Sequence, residues 1–378
     1  EKNPKPKLIK QRKKDVLYSI NSWKEFFYNH TNEDAEDFKI EKCKDLVDQK
    51  WETYIAAKDE VLIGGLVFLN DWIIRSEQSN ALEKIFVKNV KTNIEEEIKF
   101  VDEKVIVPGI SLIQRDKNTD LVRLSYSSPK TQSRVYLYNL KTKEKKLVKE
   151  QEIPSGHNPE DYIVERLECK SHDGRIVPIT ITRHKKTKID GSANLLLYGY
   201  GSYGSSMSPG FSSTRLSLIN RDIIWVTAHI RGGMERGMKW WKEGKLLSKK
   251  NTFEDYIAVA KFLIEKKYTS NKKIIGMGGS AGGLLMGAVV NQAPELFLGI
   301  IMAVPFVDSL TTNLDHSLPL TVGEFEEFGN AKKNKEHFDY IYSYAPYNNI
   351  KKMDYPHMLI TTSLSDNRVL FDEPAKFT

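Results

Sequence analysis

Cysteine is scarce in this 378-residue chain: Cys43 and Cys169 are the only two, and they lie far apart. That excludes a disulfide scaffold and a cysteine-based metal cluster, and it fits a reducing, cytoplasmic compartment. Long apolar runs are missing as well. No stretch reaches the eighteen or more apolar residues of a membrane span, and Glu1–Lys14 lacks the apolar core of a signal peptide. Neither charge sign dominates: 57 Lys and Arg face 50 Asp and Glu, a net charge of +7. Most of that excess sits in one place, because Lys2, Lys5, Lys7, Lys10, Arg12, Lys13 and Lys14 are opposed there only by Glu1. No aromatic is interleaved among them, so a solvated Lys-rich surface is expected rather than a nucleic-acid or membrane footprint. Histidine is absent beyond residue 357. What remains, 28% charged and 40% hydrophobic with a mean hydropathy of -0.46, is the composition of a globular protein with room for one large or two ordinary domains.

The stretch around which the rest is organised is Ile274-Ile-Gly-Met-Gly-Gly-Ser-Ala-Gly-Gly-Leu-Leu-Met-Gly287. An apolar run enters G-x-S-x-G and continues into small and apolar residues suited to a closely packed helix. This is the strand, tight turn and helix of a nucleophile elbow, which lifts a serine hydroxyl above a parallel sheet. Gly278 and Gly282 flank Ser280 where a Cβ would obstruct the turn. The Ala281 N–H, at the helix start, would face the oxyanion of a tetrahedral intermediate.

Residues 1–155 read as short strands with turns every eight to twelve positions: Asp15–Asn21, Glu25–Asn29, Asp37–Glu41, Val61–Leu69, Trp72–Glu77, Leu82–Val90, Val122–Ser127 and Arg134–Asn139. Clusters of about forty residues suit propeller blades, but a β-sandwich fits the same periodicity. Ile153–Asp161 has the Pro and Gly of a linker. Residues 156–378 then alternate apolar strands with helices, as in an α/β domain. The strands are Tyr162–Ser171, Ile176–Thr182, Leu195–Tyr198, Ile223–His229, Leu298–Val304 and His357–Thr362, with a helix over Thr252–Glu265.

A serine nucleophile needs a base, and in such folds the order along the chain is Ser, acid, His. Asp366, on the loop after His357–Thr362, is in the acid's place. None of the eight histidines follows it; His229 and His357 sit at strand ends but would break the order. The Gly-rich loop Tyr198–Gly204 offers Tyr200 as a second oxyanion donor. Glu324, Glu326 and Glu327 form an acidic cluster in which two carboxylates suit a guanidinium, though a surface cluster reads equally well.

These residues make the sequence resemble the prolyl oligopeptidase family of serine peptidases, most closely its oligopeptidase B branch. The likeness runs through Tyr198–Gly204, His229–Gly233, Trp240–Phe253, Gly278–Gly283, Val304–Asp308, the Glu324 region, Ser343–Tyr347 and Glu373–Lys376, and it covers residues 160–378 densely. The resemblance implies an all-β partial β-propeller, about three blades of seven, followed by an α/β-hydrolase domain lacking its C-terminal end. It makes Ser280 the nucleophile, Asp366 the triad acid and Tyr200 with the Ala281 N–H the oxyanion hole. Glu324 and Glu326 become the acidic pair for Arg or Lys before the cut, and Arg231 part of a motif lining the cleft. It implies cleavage of short peptides after basic residues, with folded proteins shielded from the site by the propeller. No metal or cofactor, no nucleic acid and no membrane is implied. Where the branch has two further acids favouring a second basic residue, this chain has Ser208 and Gly210.

With the family's histidine, early blades and N-terminal extension not in the sequence, the expectation is a peptidase truncated at both ends. A companion chain would then supply the histidine segment. The rival expectations are an inactive fragment of a split gene that binds basic peptides, and a carboxylesterase using the same elbow.

Overall fold

The computed structural model describes residues 6, 8–100, 103–113 and 117–378. Lys2, Lys5 and Lys7 of the basic stretch lie outside the described residues; within it, Lys10 and Lys13 both pair with Glu33. The strand-rich half forms three four-stranded antiparallel sheets. The first comprises β1 (Tyr18–Trp23), β2 (Phe26–Thr31), β3 (Lys39–Cys43) and β4 (Glu52–Ile55); the second, β5 (Leu62–Phe68), β6 (Trp72–Ser79), β7 (Leu82–Asn89) and β8 (Glu95–Glu97). The third runs from β9 (Val107–Leu112) through β10 (Leu121–Ser127) and β11 (Arg134–Asn139) to β12 (Lys145–Glu150).

Packing separates the propeller from the sandwich. Ile63, Phe68 and Ile73 of the second sheet pack with Trp23, Tyr28 and Ile40 of the first. Trp72 and Ile74, on the opposite face of the same strand, pack with Val122, Leu124 and Tyr138 of the third. The middle sheet is thus apolar on both faces, as a propeller blade must be. The strands not expected from sequence, β4, β8, β9 and β12, are all sheet edges. β8 is Glu-Glu-Glu and β12 is exposed throughout, so neither carries the apolar alternation that marks a strand.

The third blade ends at Glu150, and the next sheet begins with β13 (Tyr162–Lys170). This sheet has seven strands in the order β13, β14 (Ile176–His184), β16 (Ile224–Ala228), β15 (Leu195–Tyr198), β17 (Ile274–Gly279), β18 (Phe297–Ala303) and β19 (His357–Thr361). β13, β14 and β16 pair antiparallel; from β16 to β19 every pairing is parallel. The central strands are apolar on both sides because helices cover both faces: Leu195, Leu197, Val226 and Ala228 are fully buried. The helices are α1 (Ser213–Ile219), α2 (Gly237–Lys242), α3 (Lys250–Glu265), α4 (Ala281–Gln292), α5 (Ser309–Leu314), α6 (Phe325–Phe328), α7 (Lys335–Tyr342) and α8 (Asp372–Phe377). None is long and apolar enough to cross a membrane among the described residues.

The two halves meet along polar contacts. Asp37, after the first blade's β2, accepts from the Met238 N–H at the start of α2 at 2.6 Å. Arg236 reaches Glu60 at 2.9 Å, and Gln78 donates to the Met234 carbonyl at 2.9 Å.

Candidate active site

Register alone gathers the site. Gly279 pairs with Ala303, and Ala303 with Thr361, so the carboxyl ends of β17, β18 and β19 lie side by side. In open α/β sheets, ligand sites form at that edge. Ser280 and the loops carrying Tyr200, Phe306 and Asp366 all leave the sheet there.

Ser280 has φ 56° and ψ -120°, a conformation that side chains rarely adopt. The surroundings hold it in place. Its N–H donates to the Ala303 carbonyl at 2.9 Å, and its own carbonyl accepts from Gly283 at 2.7 Å and Phe306 at 3.1 Å. The elbow closes only because Gly278 has no side chain: a Cβ there would lie 2.2 Å from the Gly282 carbonyl oxygen. Val304 is a second strained position, at φ 43°, and it brings Pro305 and Phe306 over the start of α4. Ala281 begins α4, and an N–H at that first helical position has no partner within the helix.

Ser280 and Ala281 open into a cleft of about 390 Å³ shared with Tyr200, Tyr203, Ser205, Phe306, Leu320, Gly323, Glu324, Arg368 and Val369. Burial raises the pKa of the Tyr200 phenol, so it stays protonated and able to donate. Burial also pushes the Glu324 carboxyl up, and Tyr203 donates to it at 3.0 Å. Asp366 is half-buried, and its Oδ1 accepts from the backbone N–H groups of Arg368 and Val369 at 2.9 and 3.1 Å.

The expected residues do not all converge. Glu326 is exposed and is not among those lining the cleft; Glu327 is buried, its carboxylate taking the Tyr203 N–H and the Trp241 indole N–H, each at 2.8 Å. Arg231, expected to face substrate, is 1% exposed and turned inward. Its guanidinium forks onto Asp255 at 2.6 and 2.9 Å and also pairs with Asp173. The reason is packing: Arg231–Gly233 lies under the Tyr200 loop, and a Cβ on Gly232 (φ 98°) would sit 1.9 Å from the Gly201 carbonyl oxygen. Arg231 therefore anchors that underlayer.

Among the described residues, no histidine lines the cleft. His229 is fully buried, bonded to Thr180 at 2.8 Å, and burial lowers its pKa. His357 pairs with Gly299 at the opposite end of its strand from the cleft, four residues before Thr361. At about 3.3 Å per residue that end is out of reach.

Sequence reasoning passed over Tyr203, Arg368 and Lys249. Tyr203 and Arg368 carry no distinguishing local pattern. Lys249 sits in a Lys-Lys pair that reads as surface, yet it is buried beneath the Tyr200 loop.

Comparison with known proteins agrees with this geometry. The profile of the prolyl oligopeptidase family matches residues 209–378, and that of the prolyl oligopeptidase N-terminal β-propeller domain matches residues 1–151. Dipeptidyl aminopeptidase BI of Pseudoxanthomonas mexicana is 39% identical over 374 residues, 98% of this chain and 51% of that protein. Protease 2 of Moraxella lacunata is 38% identical over 382 residues, 98% of this chain and 53% of that protein. Oligopeptidase B from Trypanosoma brucei, solved in a closed form with covalently bound antipain, superposes with a TM-score of 0.91 at 34% identity, covering 98% of this chain and 53% of that one. Oligopeptidase B from Leishmania major gives 0.90 at 32%, with the same coverage. The chain thus spans about half the length of the relatives it matches. The propeller packing, the strained serine and these matches agree: the chain belongs to the prolyl oligopeptidase family of serine peptidases and is oligopeptidase B-like.

Proposed function

We propose that this chain carries the nucleophile, oxyanion hole and acidic recognition wall of a serine oligopeptidase that cuts short peptides after Arg or Lys. The observation that supports this reading is the strained Ser280 opening into the same cleft as Tyr200 and Glu324. Ser280 Oγ attacks the scissile carbonyl. The developing oxyanion takes hydrogen bonds from the Ala281 N–H and the Tyr200 phenol, where the cleft's partial burial strengthens them. An acyl-enzyme forms as the amine leaves, and water releases it. Asp366 orients the base that takes the serine proton, its Oδ1 already fixed by two backbone N–H groups. That base is a histidine from outside these residues, on the same polypeptide or on a companion chain.

Glu324 faces the cation before the cut, and Glu326, exposed and outside the cleft lining, takes no part in holding it. The two buried, unpaired thiols of Cys43 and Cys169 suit a reducing, cytoplasmic setting.

The test uses protein expressed from the whole open reading frame, labelled with a fluorophosphonate and assayed on an arginyl amide. Label at Ser280 and turnover, both lost in Ser280→Ala, are expected. Glu324→Gln should lower kcat/KM for arginyl substrates about 10- to 100-fold, the worth of a lost charge-assisted hydrogen bond. Folded protein with neither label nor turnover overturns the reading.

A further inference from the structure

Lys249 is a residue the fold has reason to avoid where it stands. It is 1% exposed, and it caps the N-terminus of the sixteen-residue α3 with no side-chain capping bond. A cation there meets the positive end of the helix dipole, with Lys250 beside it. A buried ammonium is expensive unless its donors are used. Burial pulls its pKa down to about 8.

Two of its three donors make hydrogen bonds, and both point one way. Lys249 Nζ donates to the Gly201 carbonyl at 2.6 Å and to Ser202 Oγ at 2.7 Å, the two residues after Tyr200. Its ionic partner is Glu327 at 3.9 Å, with the Phe328 ring 5.6 Å away. Glu327 in turn accepts the Tyr203 N–H at 2.8 Å. The loop between these holds needs support, because Gly201, Tyr203 and Gly204 all have positive φ. One buried pair therefore grips the loop from its carbonyl side at residue 201 and its amide side at residue 203. The acid of that pair belongs to α6, which begins one residue after Glu324.

We propose that Lys249 and Glu327 are a positioning pair for the reaction: they fix the Tyr200 loop, and with it the oxyanion donor, against the segment that carries Glu324. Neither touches substrate. The proposal rests on the acyl-transfer reading of the cleft. Loosening the pair should misplace a donor that matters most in the transition state, so kcat falls while KM changes little. A displacement of about 1 Å is worth on the order of 10²-fold.

The experiment compares wild type, Lys249→Met, Glu327→Gln and the double variant, each from the whole open reading frame. Expected are a fall in kcat near 10²-fold in Lys249→Met, a smaller one in Glu327→Gln, and KM within about threefold of wild type. The double variant should be little worse than Lys249→Met, because the two residues act as a unit. If Lys249→Met does not fold, Glu327→Gln, which keeps size and an acceptor oxygen, decides. A folded variant with kcat within twofold of wild type overturns the proposal, even if its melting temperature has dropped.

Hydrogen exchange separates this result from failure of the functional reading itself. If wild type proves inactive, amides 200–205 should still exchange at least tenfold faster in Lys249→Met, with α4 unchanged. Equal exchange in that loop overturns the pair.

Discussion

Each side chain at the cleft is held by what lies behind it. Gly278 is the sharpest case, since an added Cβ would lie 2.2 Å from backbone that cannot yield without moving the first turn of α4. Gly278→Ala should therefore cost about 1–3 kcal/mol, typical of overpacking, and lower Ser280 labelling beyond any loss of folded protein. Thermal denaturation followed with fluorophosphonate labelling checks both. This requirement was legible in the sequence, because a glycine two residues from a serine states a local steric need. Lys249, Glu327 and Arg231 were not legible. Their roles depend on burial and on partners distant along the chain, and a Lys-Lys pair or an acidic cluster looks the same whether solvated or sealed. Arg231 shows how local motif and role part company: the Arg-Gly-Gly motif does lie at the site, but its glycines make the close contact and its arginine faces inward onto Asp255.

At the scale of elements, α8 docks through a carboxylic acid. Glu373 is buried and accepts from the Asp308 N–H at 3.0 Å and the Thr312 hydroxyl at 2.6 Å, tying α8 to the start of α5. Burial raises its pKa from 4.5 to about 7. The folded protein thus holds a proton between pH 4.5 and 7 that the unfolded chain has released. The stability this confers is fully present below pH 4.5 and is lost as pH rises through 7. The span corresponds to ~3 kcal/mol. Urea unfolding of Glu373→Gln at pH 5 and pH 7.5 should show that slope removed, whereas equal slopes in both proteins would refute the assignment. Elements were read unevenly from sequence for a physical reason. Strands of the α/β sheet are buried on both faces and announce themselves as apolar runs. Blade edges such as β8 and β12 have no buried face to encode, so their backbone pairing left no pattern.

At the scale of the whole molecule, the propeller and the α/β domain share structure. Asp37 accepts the Met238 N–H at 2.6 Å inside a space so tight that a Cβ on Gly237 would lie 2.2 Å from the carboxylate. Asp37→Ala removes an N-terminal cap and should cost about 1 kcal/mol, visible as a lower urea midpoint with both domains folded. The propeller's identity was the one large feature that periodicity left open, because strand spacing is the same in a blade and a sandwich. In the structure, the two-faced packing of the middle sheet distinguishes them.

That shared cap makes α2 a gauge of separation between the halves. Met238 is bonded to Asp37, the Trp240 carbonyl accepts the Gly232 N–H at 3.1 Å, and the Gly232 carbonyl accepts the Gly204 N–H at 2.9 Å. Blade, helix, underlayer and Tyr200 loop are consecutive links, most of them backbone. A movement that draws the first blade away uncaps α2 before it disturbs any side chain of the cleft. Parting the halves would therefore reach the Tyr200 loop last, through α2 and Gly232, after that cap has gone.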